Sequence, residues 1–69
     1  MTSVPCEVYS YVTHIDLEDV ESIIIKPTCV YVGLYFCDGY TKITKESGIN
    51  LIGILDEAGY DYYYRDDSK

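Results

Sequence analysis

The sequence predicts an α+β sandwich, built in the order β-α-β-β-α-β as a single domain over residues 1–69. Three observations carry this. Runs rich in β-branched and aromatic residues alternate with stretches of helical period. Asp38–Gly39, the strongest hairpin signal in the chain, lies between two strand-like runs. Pro27 and Gly59, each able to stop a helix, stand just before a strand-like run.

Each element follows in turn. "CEVYSYVT" reads as a first strand over residues 6–13. "IDLEDVESIII" then changes period: Asp16 can cap a helix, Glu18 and Asp19 suit its first turn, and Leu17, Val20 and Ile24 share a face. "TCVYVGLYFC" is a second strand. A two-residue turn at Asp38–Gly39 would pair Cys37 with Tyr40, Tyr35 with Lys42 and Leu34 with Ile43. "KESGINLIGILDEAG" is a second helix, with Ser47 as cap and Gly59 as stop; Gly48 and Gly53 lower its propensity, so close packing should compensate. Tyr60 to about Arg65 forms the last strand, expected beside the first. The whole is a ferredoxin-like arrangement, a four-stranded antiparallel sheet with both helices on one face.

Composition narrows function. Twelve acids against five bases give a net charge of −7, which argues against direct nucleic-acid binding and against anionic membranes, and for a partner with a basic surface. Nine tyrosines with no tryptophan favour half-wet interfaces. Three cysteines cannot all pair, and Cys29 and Cys37, in one expected strand, would lie about 26 Å apart, so three free thiols in a reducing compartment are expected. No secretory start and no bilayer-spanning apolar run is read, which makes a soluble, cytoplasmic protein the expectation. Cys6, Cys29, Cys37 and His14 lack the spacing of a zinc site, and "ESGINLIG" lacks a phosphate loop's glycines and lysine. Ser10, His14 and Asp16 make no catalytic set at contact distance. No metal, no cofactor and no enzyme activity is expected.

Strand alternation locates a surface. Val30, Val32, Leu34 and Phe36 should face the helices, as should Ile43, Val8 and Val12. Tyr9, Tyr11, Tyr31, Tyr35 and Tyr40 then share the open sheet face with Lys42. On the last strand, either Tyr60, Tyr62 and Tyr64 join them, or Tyr63 does with Asp61 and Arg65. Cross-strand tyrosines can simply stabilise a sheet. A contiguous patch of this size also suits docking of a protein, including a second copy that would make a homodimer through the open face. Stacking of nucleic acid on the same face is opposed by the charge.

"GINLIGILDEAGYDYYY" is similar to the closing helix-strand half of ferredoxin-like domains such as the ACT and heavy-metal-associated families, in which a helix ends at Gly before a strand. The chain has neither the Cys-x-x-Cys loop of the metal-associated domains nor the glycine turn with which ACT domains hold an amino acid; "THIDLED" stands there instead. The resemblance implies the fold alone.

Glu18, Asp19, Glu21, Asp56, Glu57, Asp66 and Asp67 gather on the expected helical side and at the chain end. Spaced carboxylates on a small rigid body imitate a nucleic-acid backbone. In size and charge the chain resembles inhibitors encoded by phages and other mobile elements, anti-restriction and anti-CRISPR proteins among them. The leading expectation is a non-enzymatic protein-binding inhibitor, acting in the host-cell cytoplasm if phage-encoded, that blocks a basic nucleic-acid-binding surface. Tyr9, Tyr11, Tyr31, Tyr35, Tyr40 and Tyr63 would anchor it; Glu18, Asp19, Glu21, Asp56, Glu57 and Asp61 would steer it. The alternative is a dimeric ACT-like regulatory module that binds a small molecule.

Overall fold

The structure, a computed structural model, describes residues 3–68. It holds six strands and one α-helix: β1 Ser3–Val8, β2 Tyr11–Asp16, β3 Val20–Ile25, β4 Cys29–Leu34, β5 Tyr40–Thr44, α1 Lys45–Ala58 and β6 Tyr63–Asp66. The strands make a two-stranded β1-β2 hairpin and a four-stranded sheet in the order β5-β4-β3-β6. This overturns the ferredoxin-like expectation of two helices on an antiparallel sheet, and the physical reasons are local.

The expected first strand is two strands. A turn at Tyr9–Ser10 folds residues 3–16 into a hairpin in which Val8 pairs with Tyr11 and Val4 with Ile15. No glycine, asparagine or aspartate marks this turn. Tyr9 itself takes the left-handed conformation, φ 46°, which usually falls to those residues. The turn also resets the alternation. Val4, Cys6 and Ile15 are buried, whereas Val12, expected inward, is 53% exposed.

The expected first helix survives only as a 3-10 turn at Leu17–Asp19. Val20–Ile25 is instead an interior strand, antiparallel to β4 and parallel to β6. Ile23, Ile24 and Ile25 are three consecutive β-branched residues, stiff in a helix and well suited to a pleated surface. All three are buried, Ile23 and Ile25 in the core and Ile24 beneath its neighbours on the other face, so the strand reads as a continuous apolar run. Pro27 ends this strand and takes the second position of the turn that Lys26 N–H closes onto the Cys29 carbonyl at 2.9 Å.

β4 stops at Leu34, short of the expected end, and a five-residue connection, Tyr35 to Gly39, replaces the two-residue turn. Lys42 therefore pairs with Tyr31 rather than Tyr35, and Ile43 with Val30 rather than Leu34. The shift is an even number of residues, so every side chain in the pair keeps its expected face. Phe36 leaves the sheet and is 69% exposed rather than inward.

The helix forms where expected, with Thr44 as its N-cap in place of Ser47: the Thr44 hydroxyl accepts from Ser47 N–H at 3.3 Å. Ser47 Oγ accepts instead from Glu7 N–H at 3.0 Å, tying the hairpin to the helix. Gly59 closes the helix in the left-handed conformation, φ 80°. Since β5 and β6 are both parallel to β3, α1 crosses from one sheet edge to the other over the inner face. β6 lies beside β3, not beside the first strand as expected.

The core fills the layer between this sheet and its cover of helix and hairpin. Ile23, Ile25, Val30, Val32 and Ile43 meet Leu51 and Leu55 of α1, Val4, Cys6 and Ile15 of the hairpin, and Leu17 and Val20. At Gly48 the helix backbone rests on Val30: a Cβ there would lie 2.2 Å from Val30 Cγ2. Among the described residues no helix is long and apolar enough to cross a membrane.

Candidate functional site

The outer face of the four-stranded sheet carries no helix. The register places Tyr40, Gly33, Ser22 and Tyr63 in one row across it, and Lys42, Tyr31, Ile24 and Arg65 in the next. Ile24 and Cys29 are buried yet lie outside the core cluster, beneath these longer side chains. Tyr31 and Tyr40 pack with ring centroids 6.3 Å apart, within the range of favourable aromatic pairs. The Tyr40 ring leans over Gly33, where an added Cβ would come within 3.0 Å of it.

Cations surround the rings. Lys26 Nζ stands 5.9 Å from the Tyr31 centroid and Lys42 Nζ 5.1 Å from that of Tyr9, whose hairpin tip reaches round the β5 edge. Hydrogen bonding to Tyr9 pushes the Lys42 pKa up. Arg65 Nε donates to Asp67 Oδ2 at 2.9 Å, and Lys26 Nζ reaches the same oxygen at 3.2 Å. Arg65, and after it Lys26, hold the Asp67 carboxyl below the usual carboxylate range. Three of the chain's five bases thus sit on this face or its margin, two of them joined to Asp67.

Not all the predicted tyrosine anchors meet. Tyr31, Tyr40 and Tyr63 share the face, and Tyr9 joins from the hairpin tip. Tyr11 lies on β2 and Tyr35 in the connection after β4, both exposed and neither on this sheet face. The cluster near the chain end resolves residue by residue. Tyr63 and Arg65 face outward, while Tyr64 pairs with Ile23 and lines a hollow on the helix side with Ile25, Ile49 and Ile52. Tyr62 packs against the core, and its hydroxyl donates to Asp56 at 2.8 Å. Burial, and then that bond, push the Tyr62 phenol up to about 12.

The predicted steering acids lie elsewhere. Glu18 and Asp19 are on the 3-10 turn, and Glu21 sits exposed at a register irregularity of β3, none of them on an α-helix. Leu17, Ile54, Glu57, Ala58 and Tyr60 line one open hollow, so the start of the 3-10 turn that carries Glu18 and Asp19 meets the α1 C-terminus at one end of the molecule. Asp61 is exposed in the segment that leaves this hollow. Asp56 is engaged with Tyr62, so its carboxylate serves the fold as well. The last turn of α1 contains Asp56 and Glu57 and no base. That arrangement opposes the helix dipole, whose C-terminus is negative and favours cations.

Anchors and acids therefore form two surfaces of opposite sign instead of one interface. Sequence reasoning missed the basic character of the tyrosine face. Lys26 and Arg65 sat in segments expected to be a helix end and a strand of unknown facing, and only the pairing of β6 with β3 brings both to the Asp67 carboxylate. Among the described residues no three of His, Cys, Asp and Glu gather as a metal site. Cys6 and Cys29 are buried and Cys37 is exposed.

Comparison with known proteins finds no protein-family model, no curated protein and no solved structure that matches this chain. The similarity to ACT and heavy-metal-associated domains ends at the local helix-Gly-strand succession, because β6 joins a mixed sheet alongside β3. The ACT-like regulatory reading loses its basis with that fold.

Proposed function

We propose that the chain is a small non-enzymatic protein-binding inhibitor whose acidic end occupies a basic, nucleic-acid-binding surface of a partner protein. The observation that carries this is the C-terminal turn of α1, where Asp56 and Glu57 stand without a base and Glu57 shares a hollow with Leu17 of the 3-10 turn that carries Glu18 and Asp19. Local stability alone would select the opposite sign there, at about 0.3–1 kcal/mol per charge. Retained local costs of this kind concentrate at functional surfaces. Spaced carboxylates on a rigid end present the charge pattern that a phosphate-binding groove accepts, and they accelerate encounter with it. Size, charge and the absence of a motif-bearing catalytic set are the features shared with inhibitors from phages and other mobile elements.

The test is competition. Restriction enzymes, CRISPR effector complexes and other basic DNA-binding proteins are assayed for DNA binding with rising amounts of the chain. Wild type should displace DNA from at least one, and Glu18→Lys/Glu57→Lys should not, while Lys42→Glu/Arg65→Glu should compete as wild type does. Equal competition by the acidic-end variant would refute the reading, as would no competition against any of them.

A further inference from the structure

The tyrosine face and its margin gather Lys26, Lys42 and Arg65, three of the chain's five bases, on a molecule of net charge −7. A partner with a basic surface is repelled from this face. A symmetric face-to-face dimer is disfavoured for the same reason, since Lys26, Lys42 and Arg65 would meet their own copies with only Asp67 to offset them. Nucleic acid suits rings and cations locally, yet the rest of the chain brings strong negative charge close to it. The acidic chemistry that this face complements is present in the molecule itself, at the end formed by Glu18, Asp19 and Glu57.

We infer that the open sheet face is the docking surface for the acidic end of a second copy of this chain, giving head-to-tail association. The inference rests on the acidic end of the function proposed above and adds the surface that receives it. Tyr31, Tyr40 and Tyr63 supply amphipathic contact area; Lys42 and Arg65 receive the carboxylates. The two surfaces of one molecule differ, so the contact is heterologous and leaves a free end and a free face on every assembly. Overall charge does not prevent this. The molecule measures 30 × 25 × 24 Å, whereas at about 0.15 M salt charges farther apart than about 8 Å are largely screened, so the facing surfaces decide. Self-association also hides the acidic end, so a basic partner competes with the second copy for it.

The experiment is sedimentation velocity of the full chain at about 0.15 M salt, with circular dichroism to confirm each variant's fold. Wild type should sediment increasingly faster than the 7.9 kDa monomer as concentration rises, and return to monomer at about 1 M salt. Lys42→Glu/Arg65→Glu keeps the acidic end and loses the face; Glu18→Lys/Glu57→Lys keeps the face and loses the end. Each alone should be monomeric, and their mixture should stop at a 1:1 dimer. A monomeric wild type overturns the inference, as does growth of either folded variant alone, or a wild-type dimer that the acidic-end variant still forms. Binding of oligothymidylate to the face, without self-association, would assign it to nucleic acid instead. Failure here with intact DNA competition leaves the proposed inhibitor standing, because only the acidic-end variant is expected to lose that competition.

Discussion

Gly48 and Gly53 occupy the same helix, and alanine at the two positions should move stability in opposite directions. At Gly53 nothing lies within 4 Å of an added Cβ. Gly53→Ala therefore gains the helix-propensity difference, about 0.8–1 kcal/mol. At Gly48 the added carbon would lie 2.2, 2.4 and 2.8 Å from three Val30 side-chain atoms. Val30 is fully buried, paired to both Ile25 and Ile43, and β-branched, so it has little freedom to rotate away. Restoring an ordinary carbon contact of about 3.5 Å requires the helix to lift from the sheet by more than about 1 Å. Overpacking of this kind costs about 1–3 kcal/mol, and the forced lift places Gly48 near the upper end. Subtracting the propensity gain leaves a net loss of about 1–2 kcal/mol. At about 4–8 °C per kcal/mol for a chain of this size, Gly53→Ala should melt about 4–8 °C higher and Gly48→Ala about 4–16 °C lower than wild type. Thermal melts followed by circular dichroism and repeated in urea would measure both. If Gly48→Ala stabilised as much as Gly53→Ala, α1 would not be seated on Val30, and the layer arrangement derived from that contact would be wrong.

Three further outcomes are expected. A thiol-reactive chromogenic disulfide should modify one cysteine at once, the exposed Cys37, with Cys6 and Cys29 reacting only as the domain opens; burial also pushes the Cys6 pKa up, and fast reaction of two or more thiols in the folded protein would contradict the packing. The Tyr62 phenol is harder to ionise folded than unfolded, so its stabilisation is full below about pH 10 and is lost as pH rises through about 12. Tyr62→Phe should accordingly show a shallower fall in melting temperature across that window, and an unchanged slope would mean that neither burial nor the Asp56 bond keeps this phenol neutral. Tyr40→Ser should cost about 0.5–1.5 kcal/mol through loss of the Tyr31 pairing, with folding retained; urea denaturation showing no change would mean that the ring does not support the sheet.

Much of the C-terminal half was legible. The β4-β5 hairpin, the helix from Lys45 and its stop at Gly59 follow from β-branched runs, capping residues and a glycine that takes φ 80° at no steric cost. An even register slip even preserved the facing of Tyr31, Tyr40 and Lys42. The N-terminal half was not legible, for two reasons. The Tyr9–Ser10 turn uses a left-handed tyrosine, so no residue type announces it. Val20–Ile25 is an interior strand, and burial on both faces erases the alternation that separates strand from helix. Of the acids, Asp56 and Glu57 lie on the helix where they were expected, whereas Glu18, Asp19 and Glu21 were assigned to a helix that does not form. The basic margin of the tyrosine face depends on β6 lying beside β3, a long-range pairing that local pattern does not encode.

The most direct test of the central claim, that the α1 C-terminus is kept acidic for a partner at the expense of the helix, is a paired measurement on Glu57→Lys. Glu57 is exposed, and its side chain makes no hydrogen bond or ion pair among the described residues. Replacing an unfavourable charge by a favourable one at a helix C-terminus should stabilise by about 0.5–1 kcal/mol, raising the melting temperature by about 2–8 °C. The same substitution should slow association with any DNA-binding protein that wild type displaces from DNA, the loss lying mainly in the association rate and shrinking as salt rises. A more stable protein that binds more slowly is the expected result; a more stable protein that associates at the wild-type rate would contradict the claim.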